Sequence, residues 1–173
     1  MIKKNFIKLL NLFFGVAISV FLLELYVRIY VNGYVYHNAW VYQQDNLLGH
    51  SLIPSAHSGS YAPEFKTEEI INSIGLRDKE YEIEKPTDTY RIVLLGDSFV
   101  YGWGVNLENS IPKKLEGLLN QLPLVRKVEV INAGVPDYSP IISYLQLKNL
   151  LIKLEPDMVI HAVDVSDVND EVK

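Results

Sequence analysis

The sequence predicts an α/β protein: a parallel sheet with helices on both faces, three layers in all, incomplete within its 173 residues and preceded by an N-terminal transmembrane helix. Three observations predict it. Residues 9–31 are an almost unbroken apolar run, and a spanning helix needs about 20 such residues. From Tyr90 onward, short runs of branched apolar residues alternate with helix-period segments, the order expected of parallel strand–helix–strand units. Hydrophobic residues make up 49% of the chain and charged residues 21%, which is globular rather than disordered composition.

The anchor comes first. Lys3, Lys4 and Lys8 precede every acidic residue, and the apolar run that follows is interrupted only by Asn11, Gly15 and Ser19 before Glu24. Glu24 and Arg28 stand four apart near its end, where they can pair along a helix and reach for the interface. Tyr26, Tyr30 and Tyr34 suit an interfacial aromatic belt. The lysines place the N-terminus inside and everything after Tyr34 outside. Two rival readings are weaker. A cleaved signal peptide would end in small residues, and Glu-Leu-Tyr-Val-Arg is a poor cleavage site; a buried core helix is rarely apolar all round for this length. The chain thus divides into an anchor over 1–34, an irregular linker or small cap with short strands over 35–89, and an α/β region over 90–173.

Within 35–89 only Ile70-Ile71, running into Asn72-Ser73-Ile74-Gly75, reads as a strand and turn. From Tyr90 the pattern sharpens. Residues 91–95 are a buried strand ending at Gly96. Ser110 caps a helix with Pro112 in its first turn, and Ile111, Leu115, Leu118, Leu119 and Leu122 fall on one face. Residues 128–131 are a second strand, stopped by Asn132-Ala133-Gly134. Ser139 and Pro140 start a helix running to about Leu154, Pro156-Asp157 turns, and residues 158–163 are a third strand.

Composition removes several functions. A net charge of −5 argues against a nucleic-acid partner, which needs a basic face. The chain has no cysteine, so disulfides, thiol catalysis, thiolate metal sites and lipid attachment through cysteine are all excluded. Glycines 96, 102 and 104 form neither a dinucleotide fingerprint nor a phosphate loop. The acidic residues Asp164, Asp167, Asp170 and Glu171 lack calcium-loop spacing and read as a solvated loop. No cofactor and no metal is expected.

Open parallel sheets bind ligands outside the carboxyl ends of their strands. That rule selects the loops 96–104, 132–139 and 164–170. In the first, Gly96-Asp97-Ser98-Phe99 places a serine just past a buried strand. The glycine allows a tight turn, and the serine's hydroxyl and backbone N–H can then face one spot, as nucleophile and oxyanion donor. A serine after Gly-Asp can also simply cap a turn, and Gly134 can simply end a strand.

Here the sequence resembles the GDSL/SGNH hydrolases. Leu-Leu-Gly-Asp-Ser-Phe looks like that family's first block, and Asn132-Ala133-Gly134-Val135-Pro136-Asp137-Tyr138-Ser139 looks like its glycine block, at fitting spacing. Residues 72–78 (Asn-Ser-Ile-Gly-Leu-Arg-Asp) and 102–105 (Gly-Trp-Gly-Val) look like the membrane-anchored subset. The resemblance covers about half the chain and implies a three-layer sheet of the SGNH/flavodoxin-like type. It implies Ser98 as nucleophile, and the N–H groups of Ser98 and Gly134 as oxyanion donors. The family's third block supplies an asparagine donor; alignment on the third strand puts Ser166 there, with Asn169 three residues later as the alternative.

The family also keeps Asp and His together as D-x-x-H near the domain's end. No such motif follows Asp170, so the resemblance implies a truncated form. His161, mid-strand, reads as a core- or helix-facing histidine rather than the missing base; His37, His50 and His57 lie far in sequence from that block. The expected function is an esterase or O-acyl hydrolase/transferase acting outside the cytoplasm on an acylated carbohydrate or other ester, with the lipid bilayer as the second partner. The alternative is an inactive anchored remnant or a carbohydrate-binding module.

Overall fold

The computed structural model describes residues 2–31, 36–37, 41–62 and 65–164. The apolar run forms one helix, α1 (Ile2–Tyr26), continued by a π-helical turn over Val27–Val31. The window Asn5–Tyr30 has a mean hydropathy of 2.3 and none of it is buried. It is long and apolar enough to cross a membrane. Three of its polar side chains, Ser19, Glu24 and Arg28, bond along the helix, the arrangement that suits a lipid environment. Ser19 donates to the Gly15 carbonyl at 2.9 Å, and Arg28 donates twice to Glu24, at 3.1 and 2.9 Å. The rings of Tyr26 and Tyr30 stack at 4.9 Å.

The stretch read as irregular with short strands carries β1 (Tyr36–His37), β2 (Tyr42–Asp45), β3 (Gly49–Leu52), β4 (His57–Ala62) and β5 (Phe65–Ile70). They form two antiparallel sheets, ordered β1-β4-β5 and β2-β3. The strands are short and rich in polar residues such as Gln43, Gln44, Lys66 and Glu68, which hides their period in the sequence. The β2–β3 turn is closed by Asp45, whose carboxylate accepts from the N–H groups of Leu47 and Leu48 at 2.8 and 2.9 Å.

The parallel sheet consists of β6 (Thr89–Gly96), β7 (Lys127–Gly134) and β8 (Met158–His161), in the order β7-β6-β8. Central β6 is buried along nearly its whole length, as its continuous apolar run requires. Its register sets Gly96 beside Gly134, and Leu95 beside both Ala133 and His161. Four-residue α2 (Ser98–Tyr101), α3 (Ile111–Leu119) and α4 (Pro140–Asn149) complete the unit. On one face Ile92, Leu94, Val128 and Val130 pack with Val100 of α2 and Leu115 and Leu119 of α3. On the other, Val93, Leu95, Ile131 and Ala133 pack with Leu147 of α4 and with Leu151 and Leu154 of the 3-10 turn after it. The result is a mixed α/β unit with helices on both faces. A third cluster joins Val41, Leu52 and Ile71 to Tyr101, Val135 and Tyr138, so the antiparallel region packs against the carboxyl end of the parallel sheet.

The element ends differ from the sequence expectations for identifiable reasons. Ser110 does occupy the N-cap of α3, but its hydroxyl donates backward to the Leu107 carbonyl at 2.6 Å. α3 stops at Leu119 rather than 122, because the Asn120 side chain turns to bond both the N–H and the carbonyl of Val128, at 2.9 and 2.8 Å. Ser139 caps α4 as expected, accepting from the Ile142 N–H. β8 ends at His161, and that residue is exposed rather than core-facing. Among the described residues β8 pairs with β6 alone, so it is an edge strand with Met158 and Val159 about as open as a surface position.

Candidate active site

Ser98 is the first residue of α2, directly after β6, and is half-buried. Asp97 caps the helix by accepting the Phe99 N–H at 2.9 Å. As the first helical residue, Ser98 has an N–H with no acceptor inside the helix. Its carbonyl is engaged by the N–H groups of Gly102 and Trp103, both at 3.0 Å. So the turn leaves the hydroxyl and N–H of Ser98 at the sheet's carboxyl edge while its carbonyl is tied down behind.

Two glycines form the floor beneath α2. A Cβ on Gly96 would lie 2.5 Å from a methyl of Val100 and 3.2 Å from the Ala162 carbonyl. A Cβ on Gly134 would lie 2.2 Å from the Tyr101 backbone nitrogen. The pair is in register across β6 and β7, and Ala162, donating to the Leu95 carbonyl at 3.0 Å, brings the third loop to the other side of Gly96. All three strand ends therefore meet at Gly96, as the sheet rule expects.

The Gly134 N–H donates to the side-chain oxygen of buried Asn132 at 3.1 Å, and Asn132 itself donates to the Tyr101 carbonyl at 3.2 Å. An oxyanion at Gly134 would have to replace the Asn132 oxygen. The Gly134 loop is further shaped by Asp137, whose φ of +64° is unusual for a residue other than glycine. Ser166 and Asn169 lie outside the described residues.

Several residues around these loops carry no motif. His50 of β3 approaches the Pro136 carbonyl with Nε2 at 2.9 Å, and its own carbonyl accepts from the Tyr138 hydroxyl at 2.6 Å. Near Tyr101, the last residue of α2, lies a buried polar pair. Ser60 donates to Glu69 at 2.7 Å, and both are almost fully enclosed. Burial, reinforced by the nearby Glu69 carboxylate, pushes the Tyr101 phenol far above its ordinary range. The same two causes push Tyr42 up to about 12. Both phenols therefore stay protonated and do not act as bases. No signal short of the fold announces these neighbours, since they come from segments far apart in sequence.

Among the described residues nothing hydrogen-bonds the Ser98 hydroxyl, and no group of three His, Asp or Glu could hold a metal ion. His57 and His161 are exposed on their strands, and the His50 ring is directed to Pro136. An apolar groove of about 490 Å³, lined by Tyr90, Ile92, Leu115, Leu119, Met158 and Ile160, opens near the amino ends of β6 and β8, away from Ser98.

No family model matches this chain, and no curated protein matches it. One solved structure that is similar is AlinE4, an SGNH-hydrolase family esterase: TM-score 0.43, 25% identity, covering 50% of this chain and 46% of that one. The chain thus spans a little under half the length of that protein.

Proposed function

We propose that this chain is an SGNH/GDSL-type serine esterase or O-acyl hydrolase/transferase, held in the membrane by α1 with its bulk outside the cytoplasm, in the periplasm or at the cell surface. The observation that carries this reading is the placement of Ser98: first residue of a one-turn helix, at the end of a buried parallel strand, over the register pair Gly96 and Gly134. In this reading the Ser98 oxygen attacks an ester carbonyl. The tetrahedral oxyanion accepts from the Ser98 N–H, with Gly134 and Ser166 or Asn169 as further donors. The alcohol leaves, and water or a second hydroxyl takes the acyl group from the serine. An O-acylated carbohydrate of the envelope fits the proposed location. Activating Ser98 needs a base, which the family supplies from a D-x-x-H pair that does not occur in these 173 residues.

A second reading has its own support. The engaged Gly134 N–H and the absence of a base on Ser98 among the described residues favour an anchored, non-catalytic form that binds a carbohydrate or nothing. The test is a fluorophosphonate probe on the full chain in detergent, beside Ser98→Ala. Labelling of the parent that disappears in the variant supports the esterase; a folded, unlabelled parent supports the non-catalytic form.

A further inference from the structure

Two segments that stood out separately in the sequence, 72–78 and 102–105, meet in space at one side chain. Arg77 is 1% exposed. Its Nη1 donates to the carbonyls of Tyr101 and Gly102 at 3.0 and 2.7 Å, and its Nη2 to those of Glu68 and Val105 at 2.9 and 2.8 Å. Its guanidinium also lies over the Tyr101 ring, 4.9 Å from the centroid. Three of the four carbonyls belong to the last residue of α2 and the loop behind it; the fourth belongs to β5.

We propose that Arg77 is a positioning residue for Ser98: it clamps the exit of α2 to the antiparallel region and so holds the serine at its place on the carboxyl edge of the sheet. The inference rests on Ser98 being the reactive residue of the site. A helix of four residues has almost no stability of its own. Its position is set by what holds its two ends. Asp97 caps the front, the two glycines let it lie against the strands, and Arg77 gathers the rear carbonyls of Tyr101, Gly102 and Val105, the first of them shared with Asn132. The loop it gathers has glycines at φ +86° (Gly102) and +77° (Gly104), a backbone that would otherwise be free to move. A planar guanidinium with five donors suits a set of diverging carbonyls; an ammonium does not. The next residue extends the same device. Asp78 accepts from the Asn132 N–H at 2.7 Å and pairs with Lys113 at 2.8 Å, so the second loop is held from the same turn of chain.

Arg91 separates positioning from simple stabilisation. It is equally buried, and it bonds the Leu154 carbonyl and Glu129 in the same unit, away from Ser98. The experiment uses the full chain in detergent and resolves fluorophosphonate inactivation into a maximal rate and a half-saturating concentration, with thermal melts alongside. Arg77→Lys is expected to lower the maximal rate about tenfold or more while the half-saturating concentration stays within about twofold, as misplacement of a reacting atom predicts. Arg91→Lys is expected to lower the melting temperature and leave both constants alone. Gly102→Ala loosens the same clamp from the loop side, because its Cβ would lie 3.1 Å from Nη1 of Arg77; it should reproduce the selective loss and is read if Arg77→Lys does not fold. Equal losses in the Arg77 and Arg91 variants, or parental rates in both clamp variants, would overturn the positioning role alone. A parent chain that does not react would overturn the nucleophile reading and the clamp with it.

Discussion

At Gly134 the fold leaves no room for a side chain. The Tyr101 nitrogen and the Val100 carbonyl carbon lie 2.2 and 2.6 Å from where a Cβ would be, and both are backbone atoms of the helix that carries Ser98. Backbone cannot yield as a flexible side chain can. Gly134→Ala should therefore cost about 3 kcal/mol or more, the upper end for an overpacked site, read as a lowered denaturation midpoint by tryptophan fluorescence; a loss within about 0.5 kcal/mol, typical of an unconstrained surface position, would mean α2 is not seated on β7. The glycine was legible from its block in the sequence. Its reason was not, because the atoms it must avoid lie more than thirty positions away (Val100 and Tyr101). Ser98 itself was legible from the strand before it and the Gly-Asp pair, since a tight turn after a buried strand is a local event.

Among the elements, the parallel pairing of β8 with β6 is reinforced at its start by one carboxylate. Asp157 accepts the Arg91 N–H at 2.8 Å and pairs with Lys85 at 2.9 Å, while its own N–H donates to the Arg91 carbonyl at 2.8 Å. The Arg91 N–H first, and the Lys85 ammonium next, hold the Asp157 carboxyl below its usual range. A depressed folded-state pKa contributes stability that is present above the unfolded value, about 3.9, and is lost as pH falls through the folded value. Melting temperatures taken downward from about pH 5 should fall in the parent through a step that Asp157→Asn lacks; identical acid profiles would refute the assignment. The turn at Pro156-Asp157 was predictable from its residues. That its aspartate docks onto the strand at the far end of a helical crossover was not.

For the whole molecule, the distribution of charge and apolar residues carries the argument. One helix is long and apolar enough to cross a membrane, and three lysines precede or begin its apolar run. The chain has no cysteine, so single cysteines introduced at Lys3 and at exposed Thr87 report topology without background. In intact cells an impermeant maleimide should label Thr87→Cys and not Lys3→Cys; the reverse pattern would place the site in the cytoplasm. Removing residues 1–31 should shift the protein from the membrane pellet to the soluble fraction, and retention in the pellet would mean another surface binds lipid.

Local pattern was enough for the long apolar helix, the succession of the last three strands and the helices between them, and the location of Ser98 and Gly134 near the strand ends. Length of an apolar run, alternation of periods and turn chemistry are all properties of neighbouring residues, and burial writes them directly into the sequence. The short antiparallel strands, the exposed edge at His161, and the grip of Arg77, Asp78 and His50 on the loops were settled by packing in three dimensions. A side chain that bonds backbone carbonyls needs no particular residue at the other end of the bond. Such contacts leave no pairwise mark in the sequence, and the 72–78 block there says nothing of which carbonyls Arg77 grips until the fold closes around it.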